Sequence, residues 1–346
     1  MKKKLNKKTI IIIGILLLLL IIGIVLLVLP KKKEEPVKKE EPKKEEKVKK
    51  QIDIIDINSK TRPLAITVNN TPVAVKVQSG LNKAYIVYEI PTEGSTSRLL
   101  AVFKDSHNTK VGTVRSCRHN FIDYAYESDA VLACFGWSHY AKDQLNKGII
   151  DFIQGMLGQG GMWRENPEHL SSEHTVYANT DTVLNYAYNN KGAKKESDNT
   201  ILLNYNGEDV DISKMDNSKV ANTVTIVYGN IVTKFIYDSN TKTYKRNVNG
   251  VDTKDYFTKE QFDTKNIIIE RITYSMAPDN YYWDLHTTGS GEGYFITNGY
   301  AVPIKWSKEN RKAKTKYTYL DGKEIEVSDG RTYIEVQVTN KQTTIE

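Results

Sequence analysis

Only two cysteines, Cys117 and Cys134, occur in 346 residues. That is too few for a disulfide scaffold, and no Cys-x-x-Cys or Cys/His cluster is available to hold zinc. Two thiols allow one pairing outside the cytoplasm, but their spacing does not show that they meet, so buried free thiols are the simplest expectation. His-Glu-x-x-His is absent, and Gly160-Gly161 lacks the lysine of a phosphate loop. No metal and no cofactor are therefore expected. Excess positive charge is also missing where it would matter. The chain's +7 is +9 from the 15 lysines and 6 glutamates of residues 1–50 and −2 from the remainder. The high pI belongs to the N-terminus, and a nucleic-acid partner for the folded part is excluded on that ground. Long apolar runs are lacking except for one.

That run is Ile10 to Leu29, free of charge and broken only by Gly14 and Gly23. About 20 residues of helix span roughly 30 Å, the thickness of a bilayer core, and a helix satisfies its own backbone in lipid. A cleaved signal peptide would have an apolar core of about 7–15 residues and a small-residue cleavage site. Here the run ends in Leu27-Val28-Leu29-Pro30. The reading is an uncleaved single-pass helix over 10–29. Residues 1–9 form a basic cytoplasmic tail, by the positive-inside rule, and everything after the helix lies outside the cytoplasm. The lysines beyond the helix would favour the inverted orientation. Residues 30–57 form a tether, repeating Lys-Lys-Glu-Glu-Pro at Lys32–Pro36 and Lys38–Pro42, without aromatic residues and too polar to fold.

The remaining chain is long enough for two domains. Over 58–195 strands alternate with helices. Leu64 to Asn69, Ala84 to Ile90, Arg98 to Lys104 and Val111 to Val114 are strand-like. Phe121, Ile122, Ala125 and Tyr126 recur at helical spacing, Ala130 to Phe135 is a short buried strand, and Ser138 caps a helix over His139 to Asn146. After about 196 consecutive strands meet at Gly229-Asn230, Asn298-Gly299 and Asp321-Gly322, three hairpin signals, and Asn247 to Gly250 is a further turn. The fold class is α+β: a mixed α/β layered N-terminal ectodomain (58–195), then a β-rich C-terminal domain (196–346), packed separately and joined through Lys191 to Thr200.

Three stretches carry chemistry. In Val114-Arg115-Ser116-Cys117-Arg118 a short strand gives way to a helix, where two guanidiniums and free N–H groups suit a phosphate or carboxylate. The plainer reading pairs those arginines with Asp123, Glu127 or Asp129. Phe135-Gly136-Trp137-Ser138-His139 follows the buried strand, where layered sheets place sites; a simple helix cap at Ser138 is its alternative. Gly160 to Arg164, His169 and Ser171-Ser172-Glu173-His174 form a Gly-rich loop whose histidines could act as acid or base or sit idle on the surface. Arg98, Arg115, Arg118, Ser138, His139, Arg164 and His174 are the candidate ligand-binding residues. No catalytic residue is assigned. Trp283 to His286, with Gly289 to Gly293, is read as a structural loop.

Several runs resemble the YerB-like family of bacterial cell-envelope lipoproteins. They are Arg62-Pro63-Leu64-Ala65, Gln78-Ser79-Gly80-Leu81, Glu93-Gly94 to Arg98 and Val111-Gly112-Thr113-Val114-Arg115-Ser116 with Arg118. Trp163-Arg164, His174 and the series Gly291-Glu292-Gly293, Asn298-Gly299, Trp306 and Gly322 continue the pattern. The resemblance covers about 62 to 338. It implies a two-domain extracytoplasmic protein and supplies no reaction. The chain departs from the lipoprotein pattern in having no cysteine before Cys117 to carry a lipid, a task the apolar helix would take over. Two functions remain open. One is a membrane-anchored envelope module that binds a wall polymer or a partner protein. The other is an enzyme or carrier acting on an anionic wall glycan or phosphate-containing substrate through the arginines. Convergence of those arginines in one pocket with His139 or His174 and a carboxylate separates them.

Overall fold

The computed structural model describes residues 6–28, 51–199 and 201–346. The first five residues of the basic tail, the tether as far as residue 50, and Thr200 of the expected linker lie outside them. The chain forms two units, Met1–Val48 and Lys49–Glu346.

In the first unit the apolar run forms one helix, α1 (Lys7–Val28). Its side chains are described over the apolar stretch from Ile11 to Val25, and all are exposed. Among the described residues no helix is long and apolar enough to cross a membrane. The single-pass role expected of 10–29 is not supported at this level and is taken up below as a proposal.

The second unit is built on an 11-stranded mixed sheet. The first half supplies β1 (Leu64–Asn69), β2 (Ile86–Thr92) and β3 (Thr96–Phe103). Next come β4 (Lys110–Gly112), α2 (His119–Glu127), β5 (Val131–Cys134), α3 (His139–Asn146) and β6 (Phe152–Gln154). It ends with β7 (Trp163–Arg164), β8 (Val176–Asn179) and α4 (Thr180–Lys191). β1, β5 and β6 lie parallel, with α2 and α3 as crossovers. Parallel strands need such connections, and the helices cover one face of the sheet while α4 covers the other. The expected hairpins form at Gly229-Asn230 and Asn298-Gly299, and the turn expected over Asn247 to Gly250 closes another, pairing Val248 with Val251. Around Asp321-Gly322 the pairing shrinks to one bridge, Thr318 to Glu324.

The two halves are not packed separately. The strand Thr332–Val338 lies between β2 on one side and Asn266–Ile272 on the other, parallel to both, so one sheet runs through both halves. Texture alone could not reveal this, because a buried parallel strand looks the same whichever half owns its neighbours. The linker is tied down as well: Arg62 N donates to Lys195 O and Ser197 N to Lys60 O. The tether also ends earlier than expected. Ile52 and Ile55 are buried, and Asp329 accepts from the N–H groups of Asp53 and Ile54.

A six-stranded sheet from the second half packs over the face opposite α2 and α3, with Phe235 against Tyr333 at 5.3 Å. Between the sheets lies a buried polar seam. Glu89 on β2 and Glu335 on Thr332–Val338 are register partners, both inaccessible to solvent. Glu89 accepts from Asn70, Ser97, Thr233 and Arg246, whose Nη2 is 3.0 Å away. Glu335 receives only the Tyr228 hydroxyl, at 2.8 Å. Burial and the neighbouring Glu89 push the Glu335 carboxyl well above its ordinary range. On the other face Tyr124 and Tyr317 donate to buried Glu270. Burial first, and Glu127 second, raise that carboxyl to about 7.

Candidate functional site

β1 and β5 run parallel, paired as far as Ile66 and Ala133, and end at Asn69 and Cys134 on one edge of the sheet. Parallel strands leave their carboxyl ends open at such an edge. The run Val114 to Arg118 crosses it. Arg115 N donates to Thr67 O, Phe135 N to Arg115 O, Cys117 N to Gly136 O and Ser138 N to Cys117 O. The run fits because Gly136 has φ +94 and a side chain there would meet Ser116 Oγ at 2.5 Å. Glycine allows both the conformation and the approach.

This crossing brings together arginines scattered in the sequence. Arg118, the residue before α2, forks onto Glu93, with Nε 2.9 and 3.0 Å from its oxygens and Nη2 bonded to Oε1. Arg98 opens β3 and is 8% exposed; its Nη1 donates to Ser116 O at 2.6 Å and its Nη2 lies 3.8 Å from Glu93. Burial, then the charge of Arg118, lower the Arg98 guanidinium to about 9, which leaves it charged at neutral pH. Burial pushes the Glu93 carboxyl up, but the bonds and charge of Arg118, with Arg98, outweigh it and hold it below its usual value.

Arg115 reaches the surface and meets Glu173 through Nη2 at 2.9 Å, while its Nε is enclosed without a partner. Glu173 also lies 3.3 Å from His174 Nε2, and His174 Nδ1 meets Asn69 Nδ2 at 2.8 Å. The amide donates there, so Nδ1 is the acceptor and Nε2 carries the proton. Burial, against the pull of Glu173, holds His174 below its ordinary pKa. Arg164 bonds to Ser172 O and, at 3.0 Å, to Thr175 Oγ1, clasping the turn that carries Glu173. Its guanidinium lies 5.0 Å over Phe135.

Arg98, Arg115, Arg118, Arg164 and His174 thus share one edge. His139 stands at its margin, exposed, 3.5 Å from Asp279 and packed on Tyr140 and Tyr282; Tyr282 in turn lies under Arg118. Ser138 caps α3 by accepting from Ala141 N, which is the plainer of its two readings. His169 has a left-handed φ of 53° in the loop before this turn. The hollow between Glu93, Arg118, Tyr282 and Trp283 is too tight for a water molecule.

The acids expected to brace the arginines do not. Asp123 accepts from Thr287 and Arg311, Glu127 from Tyr88, Lys308 and Thr315, and Asp129 from Arg62. From α2, Asp123 and Glu127 reach partners in the second half, and Asp129, beyond the helix, turns back to Arg62. The partners are Glu93 and Glu173, which lie 25 and 58 residues from their arginines. Neither stands at helical spacing from an arginine. Only the hairpin at Gly94 and the turn at 172–174 bring them in. The loop at Trp283 is structural, as read: Asp284 bonds to His119 at 2.7 Å, and Asn120 holds Trp283 O and Leu285 N. Cys117 and Cys134 are free and buried.

Residues 53–194 match the family described as "Protein of unknown function (DUF3048) N-terminal domain". Residues 223–334 match its C-terminal domain. The protein named "Putative lipoprotein YerB" of Bacillus subtilis (strain 168) is 30% identical over 287 residues, which cover 80% of this chain and 82% of that one. The crystal structure of the Bacillus subtilis YerB protein superposes with a TM-score of 0.69 at 27% identity, covering 82% of this chain and 94% of that one.

Proposed function

From the premise that this chain belongs to the YerB-like family, with both DUF3048 domains present, we propose that it is an extracytoplasmic protein of the bacterial envelope that binds an acidic wall polymer at the arginine edge. The observation carrying this reading is the convergence of Arg98, Arg115, Arg118 and Arg164 with His174 at one edge, where Arg164 and the Arg115–Glu173 pair reach solvent while Arg98, Arg118 and His174 lie just beneath. Arginine forks match carboxylate and phosphate oxygens, and an open edge admits a long polymer where a cleft would admit a small substrate. Aromatic side chains at the edge, Phe135 beside Arg164 and Tyr282 beside Arg118, with Met156 exposed nearby, suit the faces of sugar rings. The anchor in this reading is the apolar run 10–29, spanning the membrane with the N-terminus inside.

The binding test is sedimentation of the full chain with purified cell walls. Arg115→Ala and Arg164→Ala should each reduce the bound fraction, and walls stripped of their anionic polymer should hold little of the unmutated chain. Equal retention by stripped walls and by both variants would overturn the reading. For topology, protease added to intact protoplasts should reduce the chain to fragments; survival of the full-length chain would place the folded part inside.

A further inference from the structure

Glu93 and Glu173 both answer arginines of the edge, but they are held differently. The Glu93 side chain is 9% exposed and gripped at both oxygens by Arg118. The Glu173 side chain is 49% exposed and rides on the single turn Ser172–His174. Its Oε2 meets one nitrogen of Arg115 and its Oε1 one nitrogen of His174. Arg115 therefore holds this carboxylate at one point although its fork can grip at two, and its enclosed Nε is left over.

We propose that Glu173 is a built-in stand-in for the ligand. It occupies Arg115 and His174 while the edge is empty, and an oxyanion of the polymer displaces it. This rests on the reading of the edge as an anion-binding surface. The exchange replaces one anion by another, so Arg115 is never left without a counter-charge. The His174 Nε2–H and the Arg115 Nη2 that Glu173 gives up are the donors an incoming phosphodiester or carboxylate takes over. An exposed pair is weakly held, which makes Glu173 displaceable, whereas Glu93 is fixed. Arg164, clasping Ser172 O, keeps the turn in place when the side chain swings out.

The experiment titrates the full chain in detergent micelles with poly(glycerol phosphate) and, separately, with polyglucuronate, using dextran as the uncharged control. Glu173→Gln should tighten binding about fivefold, the factor equivalent to about 1 kcal/mol. Arg115→Ala should abolish it. Glu324→Gln, the same charge change beyond the opposite end of the sheet, should change affinity little. The polymer whose affinity rises more with Glu173→Gln identifies the anion as phosphate or carboxylate. Loss of binding in Arg115→Ala with no gain in Glu173→Gln sinks the stand-in and leaves the edge reading intact. An equal gain from Glu324→Gln reduces the effect to net charge and also sinks it. Unchanged binding in Arg115→Ala removes the edge reading itself. Glu173→Ala, melting at the same temperature as the unmutated chain, guards against a folding defect and should tighten binding likewise.

Discussion

Arg246 and Arg115 each meet a glutamate at nearly the same distance, 3.0 and 2.9 Å. At the seam both partners are fully buried. At the edge the side chains are 25% and 49% exposed. The Glu89 carboxylate has donors on both oxygens, whereas Glu173 has one contact on each. The same bond therefore serves two purposes. In the interior, removing one partner strands a charge that cannot reach water. At the surface, water takes the partner's place. Burial, more than distance or the number of bonds made, distinguishes an arginine that holds the fold from one that is available to a ligand.

The comparison is tested most severely at the seam. Glu89→Gln keeps the shape but leaves Arg246 unpaired. It should cost roughly 3–5 kcal/mol and lower the melting temperature by about 10 °C. A shift as small as that of an edge variant would erase the distinction. Next is the pH response of the opposite face. Glu270 holds its proton to about 7 in the fold, against 4.5 for the free side chain. A raised carboxyl pKa contributes stability that is present below about 4.5 and lost as pH climbs to about 7. The loss approaches roughly 3 kcal/mol across that window. Glu270→Gln should flatten the melting temperature between pH 5 and pH 8; an unchanged slope would assign the titration elsewhere. Arg118→Ala comes third. Glu93 keeps only the more distant Arg98, and a cost of about 2 kcal/mol is expected in thermal melting. Smallest is Arg115→Ala, within about 1 kcal/mol of the unmutated chain although it removes polymer binding. A fall as large as that of Arg118→Ala would make Arg115 a brace.

Much of the local structure was legible. The helical spacing of Phe121, Ile122 and Ala125, the cap at Ser138 and the turns at Gly229-Asn230 and Asn298-Gly299 follow from rules that act over a few residues. What escaped is long-range. Thr332–Val338 looks like any closing strand of a β-rich domain, and nothing local says that β2 is its neighbour. The arginines of the site were visible as residue types within recognisable motifs, but Glu93 and Glu173 were not visible as their partners. An ion pair across 25 or 58 residues leaves no periodic trace. Ile52 and Ile55 were hidden by the lysine-rich run before them, although two isoleucines beside Asp53 already depart from that composition.

The placement of Thr332–Val338 bears on how such a protein is made. A chain delivered to its folding compartment in the order of its synthesis presents β2 more than two hundred residues before the strand that covers its flank. Throughout that interval β2 presents a bare row of backbone donors and acceptors, the kind of edge to which stray strands add. The first half cannot finish folding as its own residues emerge. Its completion waits for nearly the last segment to be delivered, and a chain stalled before residue 332 would be left as a target for proteases and chaperones.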